Sequence, residues 1–522
     1  MWKLTSQLST PPSRLRLPRL NCLRKSVLLA LAGAGLFVAA LDAYVVVTLL
    51  PAMMGDLGLS IERFEQATPI VTGFLAGYVV AMPLLGAYSD VRGRIPIYAA
   101  CVAAFAFGSI ITATSGLWMF AGLPWLVAGR FVQGLGGGGL VPVSLALAAD
   151  LYRDRSRTFA LGAVAGLQEA GSVLGPVYGA TLAAAAAMTG GWRFVFWLNV
   201  PLAAICGAGL VASGRTAKPA APGVRRSFVD WPGAALLGAG LGALVLALYP
   251  DDPEHRAINA LFLPAFAGAV ILLAAYAWRQ SRNLEPLIPR ELLRTRAFAG
   301  VATANVLIGA ALMVALVDVP LLGRLVFNLD QLASGLLLTQ FLVGVPVGAV
   351  VGGRLAGRFG DRATGAMGIA LSGLAFLQMS GWSSSELSLR IGPLRQADIA
   401  LAICGLGFGF VIAPLTSAVL ALTRAQSHGL ATSLVVLART MGMLIGLSAL
   451  TAFGLYRFHQ ILGTPVLTDP DIGDRVKHLE RLVAAAFLQE YREIFLIAAA
   501  MCLLTAAVIA FALRPPRTSG GT

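Results

Sequence analysis

The segment GAYSDVRGR, residues 86–94, lies between two long apolar runs and gathers Asp90, Arg92 and Arg94 around Gly86 and Gly93. The surrounding chain has 522 residues, of which 57% are hydrophobic and 12% charged. Apolar stretches of about 20 residues recur along its whole length, the length a helix needs to cross a bilayer. The expectation is an all-α membrane protein, and the charged segment is then a short turn between the second and third spans. Its chemistry suits a tight hinge. Gly86 lets a neighbouring helix approach, Gly93 can take positive φ, Asp90 can accept amide donors or face a positive helix end, and Pro96 suits the first turn of the next helix.

Spans counted in this way number fourteen, from 27–52 to 476–513. The basic N-terminal tail precedes an apolar run that is too long for a cleaved signal and continues through Asp42 without a small-residue cleavage site, so it reads as a retained first span. With both termini cytoplasmic, roughly 26 of the 39 Lys and Arg fall on the inner side, as the positive-inside tendency asks. The formal charge of +14 is then topology. No loop is large enough for a basic, water-facing nucleic-acid domain.

Gly86 and Asp90 recur 271 positions later as Gly357 and Asp361, and the same offset links Gly73 to Gly344, Gly134 to Gly405, Gly138 to Gly409, Gly171 to Gly442 and Gly175 to Gly446. A shared offset across four consecutive spans points to a duplicated bundle. The expected organisation is a cytoplasmic tail at 1–26, a six-helix half at 27–213, a linker at 214–296 with two extra spans (231–249 and 258–278), a second six-helix half at 297–513 with extended periplasmic helix ends near 454–492, and a cytoplasmic tail at 514–522.

These motifs resemble those of the major facilitator superfamily. GAYSDVRGR is similar to its loop motif, although the position after Asp90, usually basic, is Val91; Asp361 is followed by Arg362. LDAYVVVTLLP (41–51), RFVQGLGGGG (130–139) and GSVLGPVYG (171–179) resemble the motifs of its fourteen-span drug:proton antiporter branch. The last of these, with Gly171, Gly175 and Pro176, is the motif that the family ties to export. Within the branch, LQEAGSVLGPVYG and GLYRFHQ most resemble the mycobacterial triacylglyceride exporters that work with a periplasmic lipid-carrying lipoprotein. The resemblance implies a proton-coupled secondary transporter in the inner membrane.

The energy source narrows by elimination. No phosphate-binding G-x-x-x-x-G-K-[ST] loop occurs, and GLGGGG lies inside a span with no preceding strand, where close helix packing explains it. No cofactor is expected. His255, His428, His459 and His478 are assigned to loops or to positions beyond the membrane, so no metal site is expected. Five cysteines, four of them in apolar spans, suggest no disulfide framework.

Charges inside the spans carry the functional reading, because each is costly in lipid and faces a partner or a wet cavity. Asp42 is the candidate proton carrier and Arg130 its counter-charge. Glu169 and Arg439 sit at similar depths in equivalent helices of the two halves and are expected to form a lock that opens on protonation. Asp318, near the outer end of the seventh span, is an outer-side candidate. Asp90 and Arg94, with Asp361 and Arg362, are expected to fasten the cytoplasmic side. The partners expected are protons, an apolar lipid or amphipathic drug, the bilayer and a periplasmic lipoprotein. A multidrug:proton antiporter without lipid cargo and a solute importer are the alternative readings. No Ser/His/Asp set or paired catalytic carboxylates converge at one depth, which argues against an enzyme.

Overall fold

The structure, a computed structural model, describes residues 18–58, 67–116, 122–185, 191–214, 230–248, 261–283, 286, 288, 290–329, 331–383, 386–391, 394–424, 427–462 and 472–513. The first half contains α1 (Pro18–Asp56), α2 (Thr68–Arg92), α3 (Arg94–Thr114), α4 (Leu123–Leu151), α5 (Asp154–Ala185) and α6 (Trp192–Gly214). A linker hairpin follows, α7 (Trp231–Leu248) and α8 (Phe262–Arg282). The second half begins with the short α9 (Arg290–Arg294) and α10 (Arg296–Met313), which runs through a π-helical segment at Val314–Asp318 into α11 (Val319–Leu325). It continues as α12 (Gln331–Leu337), α13 (Thr339–Phe359), α14 (Asp361–Met379), α15 (Gln396–Leu422), α16 (His428–Leu462) and α17 (Ile472–Ala512). A two-residue antiparallel ribbon, β1 (Arg390–Ile391) with β2 (Leu394–Arg395), leads into α15 and is the one departure from the all-helical expectation among the described residues.

Twelve of these helical stretches are long and apolar enough to cross a membrane. The helices α5 and α14 are not among them. They have 32 and 19 residues and carry charged residues that dilute their apolarity, among them Arg155, Arg157 and Glu169 in α5 and Asp361 and Arg362 in α14. Both are nonetheless inside the bundle. α5 packs along α1 and α13, and α14 along α15 and α17.

The duplication is visible in how backbones meet. Helices α2 and α4 cross at Gly134 and Gly138, where any side chain would run into the carbonyl oxygens of Phe74 and Tyr78. Helices α13 and α15 cross in the same way at Gly405 and Gly409, against the carbonyls of Phe341 and Val345. In lipid, helices gain little from hiding apolar surface from one another, so close backbone approach through small residues supplies the association. The linker hairpin lies outside this core. Gly238 and Gly242 of α7 rest on Val80 of α2, and Ser448 of α16 donates to the Leu248 carbonyl. Its two helices are clamped where Arg279 donates to Asp230 Oδ1 at 2.8 Å and Asn283 to Oδ2 at 2.9 Å.

The last two helices are longer than a bilayer requires. The expected final helix began at 476; the observed one starts at Ile472 and has 41 residues, about 61 Å at 1.5 Å per residue against an apolar core of about 30 Å. α16 has 35 residues. They are joined near their overhanging ends by Arg457, whose Nε reaches Glu493 Oε2 at 2.6 Å, and by Phe458 stacked on Phe487 at 4.3 Å. Residues 463–471, and the side chains at 472–480 within the expected helix extension, lie outside the described set.

Replacing Gly134 or Gly405 with leucine forces apart two backbones with no flexible neighbour to yield. Each change should destabilise the purified protein by about 1–3 kcal/mol, the usual cost of overpacking, read as a lowered thermal transition, whereas Gly268→Leu, with open space at the site, should leave the transition unmoved.

Candidate functional site

Asp42 lies in α1 with 1% of its surface exposed. Arg130 of α4, equally buried, donates from Nη1 to Asp42 Oδ2 at 2.7 Å. Two neutral amides complete the shell. Asn199 of α6 donates to Oδ1 at 2.6 Å, and Gln133, one turn beyond Arg130, donates to the same oxygen at 3.3 Å. Gln133 in turn donates to Ser109 Oγ at 2.8 Å and accepts from Thr112 Oγ1 at 3.0 Å, both on α3. The guanidinium lies over the Phe74 ring of α2 at 4.4 Å. Five helices of the first half thus meet at one carboxylate. A buried ion pair persists only where further hydrogen bonds satisfy what the pair leaves over, and the amides provide them. Sequence reasoning found the ions and missed Gln133 and Asn199; the i, i+3 spacing of Gln133 from Arg130 was a usable signal, and Asn199 offered none.

Beside this network a cavity of about 570 Å³ opens between α1, α5 and α6. Phe37, Leu41, Leu174, Leu202 and Ile205 line it with almost wholly apolar surface, and Asn199 lies at its wall. Leu174 and Ile205 are 47% and 65% exposed, so the cavity opens through the flank of the bundle. Tyr178 also lines it, with a buried hydroxyl that has no partner among the described residues. The export-motif glycines sit at this edge, with Gly171 and Gly175 of α5 against the α1 backbone at Phe37 and Leu41. Pro176 lies in the same helix.

Glu169 and Arg439 are brought together across the two halves. Arg439 Nη2 of α16 donates to Glu169 Oε1 of α5 at 3.3 Å, with both side chains mostly buried.

The halves also meet at the end carrying the α2–α3 turn. Asp90 accepts from the backbone amides of Gly429 and Leu430, both at 2.9 Å, so its carboxylate caps the N-terminus of α16, where unsatisfied N–H groups and the helix dipole favour an anion. Arg94 pairs with Asp90, donates to Ser89 Oγ at 2.7 Å and donates to Asp150 Oδ2 of α4 at 3.0 Å. Asp150 continues to His428 Nδ1 at 2.9 Å. His428 was expected in a loop. It is the first residue of α16 and is buried, a correction that follows from the capping of this helix by a distant aspartate that local sequence does not reveal. Gly86 permits the approach, because a side chain there would meet the Gly429 carbonyl. Gly93 turns the chain at φ 95°, and Arg92 stays exposed, near the Tyr88 ring.

The second half arranges its copy differently. The positive φ falls at Gly360, φ 83°, before the aspartate, so Asp361 opens α14 instead of closing the preceding helix. It is hydrogen-bonded to Ser417 of α15 and lies near Arg157 of α5. Gly357 approaches the Arg155 backbone of α5. Arg362 is exposed, and no ion pair with Asp361 is present among the described residues. Asp318 ends the π segment, away from Asp42 and in the other half.

The sequence profile of the Major Facilitator Superfamily matches residues 32–447. The chain belongs to that superfamily. It is 40% identical over 495 residues to a triacylglyceride transporter of Mycolicibacterium smegmatis, covering 92% of this chain and 86% of that protein. It is 41% identical over 440 residues to a triacylglyceride transporter of Mycobacteroides abscessus, covering 84% of each. Among solved structures, the human organic anion transporter MFSD10 superposes with a TM-score of 0.62 at 16% identity, covering 93% of this chain and 99% of that one. The fucose:proton symporter of E. coli gives 0.54 at 14% identity, covering 93% and 98%. The chain is a multi-pass membrane transporter and not an enzyme.

Asp90→Asn keeps the shape of the cap and removes its charge, which at a partly buried helix end contributes about 0.3–2 kcal/mol. Distances between spin labels on the exposed Arg92 and Arg424 should acquire a longer population in that variant, while the thermal transition changes little.

Proposed function

We propose that this protein exports an apolar, triacylglyceride-like lipid from the inner membrane by proton-coupled alternating access. The observation that carries the proposal is the shared wall between the Asp42–Arg130 network and a flank-opening apolar cavity, with Asn199 belonging to both. A cargo that dissolves in the bilayer before it is bound needs a door in the side of the bundle, and an apolar lining suits it. The name carried by the mycobacterial relatives supports the same cargo. In this reading α5 and α14 also cross the bilayer, which makes fourteen spans, and both termini are cytoplasmic. The joint of Asp90 and Arg94 with the α16 N-terminus then closes the cytoplasmic side, favouring an outward-facing arrangement.

Asp42 is the proton carrier in this cycle. Arg130 remains charged and holds the carboxylate ionised until movement of α6 withdraws Asn199 or opens the shell to solvent. Protonation weakens the ion pair and lets the shell helices shift. Glu169 and Arg439 act as the lock between halves, which also opens on protonation. The overhanging ends of α16 and α17, tied by Arg457 and Glu493, guide the lipid to a periplasmic lipid-carrying lipoprotein.

Transport in vesicles tests the scheme. Asp42→Asn should abolish lipid movement driven by an imposed pH gradient while leaving the protein folded; wild-type transport by this variant would end the carrier assignment. Exchanging the lock charges, Glu169→Arg with Arg439→Glu, should recover part of the activity that either single change removes. Deleting 464–480 across a short linker should abolish lipid export with membrane insertion retained, and undiminished lipid export would instead favour a multidrug pump without lipid cargo.

A further inference from the structure

A second buried carboxyl group lies in the half that does not contain Asp42. Glu490 of α17 is 7% exposed, and its Oε2 is buried with no hydrogen-bond partner among the described residues. Its side chain lies over Gly454 of α16, where a methyl group would collide with Oε1. The π-helical segment that ends in Asp318 packs against both α16 and α17, and Asp318 and Glu490 are within electrostatic reach of one another. Such a segment inserts an extra residue into a helix and re-aims the side chain at its end, and these insertions recur at functional positions.

Among the described residues the charges around the pair offer it no cation. Arg457 of α16 is committed to Glu493 through two hydrogen bonds, at 2.6 and 2.5 Å. Arg492, next to Tyr491, points to the Trp382 carbonyl, and Arg324 of α11 is exposed. Tyr491 is within electrostatic reach of both carboxyl groups, and Glu493 is a third acidic group within reach of Glu490. Among the described residues neither Asp318 nor Glu490 forms an ion pair. An ionised carboxylate buried with an unsatisfied oxygen and another acid nearby is costly by several kcal/mol, and such a group takes up a proton instead. Asp318 is less buried than Glu490.

The structure assigns a second proton-binding site to Glu490, with Asp318 as its relay, at the base of the paired α16–α17 extension. The protonated form lets α16 and α17 close over Gly454. Loss of the proton places a bare charge in that contact and loosens the base of the extension. The site deepens the export reading by adding a proton step in the second half, and its occupancy is measured without substrate or transport.

Infrared difference spectra between acid and alkaline pH test it in the Asp42→Asn background, which removes the carboxyl group proposed as the proton carrier of the first half. One titrating carboxylic-acid component should be present there and be lost from the difference spectrum when Glu490→Gln is added. Asp318→Asn, which takes away a neighbouring negative charge, should move the midpoint of that band to lower pH. A difference spectrum unchanged by Glu490→Gln overturns the assignment. Should that variant fail to fold, a midpoint unmoved by Asp318→Asn overturns it as well, and so does a band displaced by sodium at constant pH. A failed infrared result leaves proton coupling at Asp42 standing, whereas unimpaired pH-driven transport by Asp42→Asn removes that coupling and leaves Glu490 testable.

Discussion

The ion pair between Asp42 and Arg130 is the constraint around which the first half is built. Each ion alone in an apolar span would be costly, and in a low-dielectric interior even their mutual attraction does not fully offset desolvation. The pair is tenable because Gln133 and Asn199 donate to the same carboxylate oxygen and Phe74 offers its ring face to the guanidinium. Those partners come from α2, α4 and α6, with α3 holding Gln133 in place through Ser109 and Thr112. Any displacement of one of these helices therefore changes the hydrogen bonding of a charge, and a change of that charge alters which displacement is favourable. This reciprocity lets one buried carboxylate communicate with a whole bundle.

The contacts between halves add polar groups to close backbone approach, as at Gly86 against the Gly429 carbonyl and Gly162 of α5 against the Ala349 carbonyl of α13. At the α2–α3 turn they rest on backbone amides and a carboxylate, which can be made and broken at modest cost because the helix end regains water when it opens. Deeper in, Glu169 and Arg439 meet at 3.3 Å, a longer contact than that of Asp42 and Arg130. Within each half the joints are glycine crossings, where a backbone moves only as part of a rigid pair. The molecule thus combines stiff halves with separable seams, the physical condition for rocking one half against the other.

Much of this was legible in the sequence. The apolar runs located the helices, and the 271-residue offset exposed the repeat because glycines that carry backbone crossings cannot drift. Asp42, Arg130, Glu169 and Arg439 stood out as charges in apolar context. What the sequence concealed was of two sorts. Neutral partners such as Asn199 are unremarkable in an apolar span until a distant charge is known to face them. Turn register was hidden as well: Gly360 precedes Asp361 while Gly93 follows Asp90, so two copies of one motif place their aspartates on opposite sides of the break. His428 was read as a loop residue and Asp150 escaped notice because their meaning comes from a helix end brought in from the other half.

The separation of charge from cargo has a mechanical consequence. The cavity at the flank is lined by Phe37, Leu41 and Ile205, while the carboxylate stands behind Asn199. A lipid whose bulk is hydrocarbon has little to offer Asp42 as a hydrogen-bond partner, so in the proposed cycle it cannot compete with the proton for that group. Coupling has to pass through the wall that the two sites share. Filling the cavity presses on α1 and α6, the helices that carry Asp42 and Asn199, and so alters the geometry of the shell that keeps the carboxylate ionised. In the reverse sense, a proton on Asp42 frees Asn199 and relaxes the wall. Exchange of proton for lipid then depends on the stiffness of the α1–α5 joint at Gly171 and Gly175, because a yielding joint would absorb the pressure of the cargo before it reached the carboxylate.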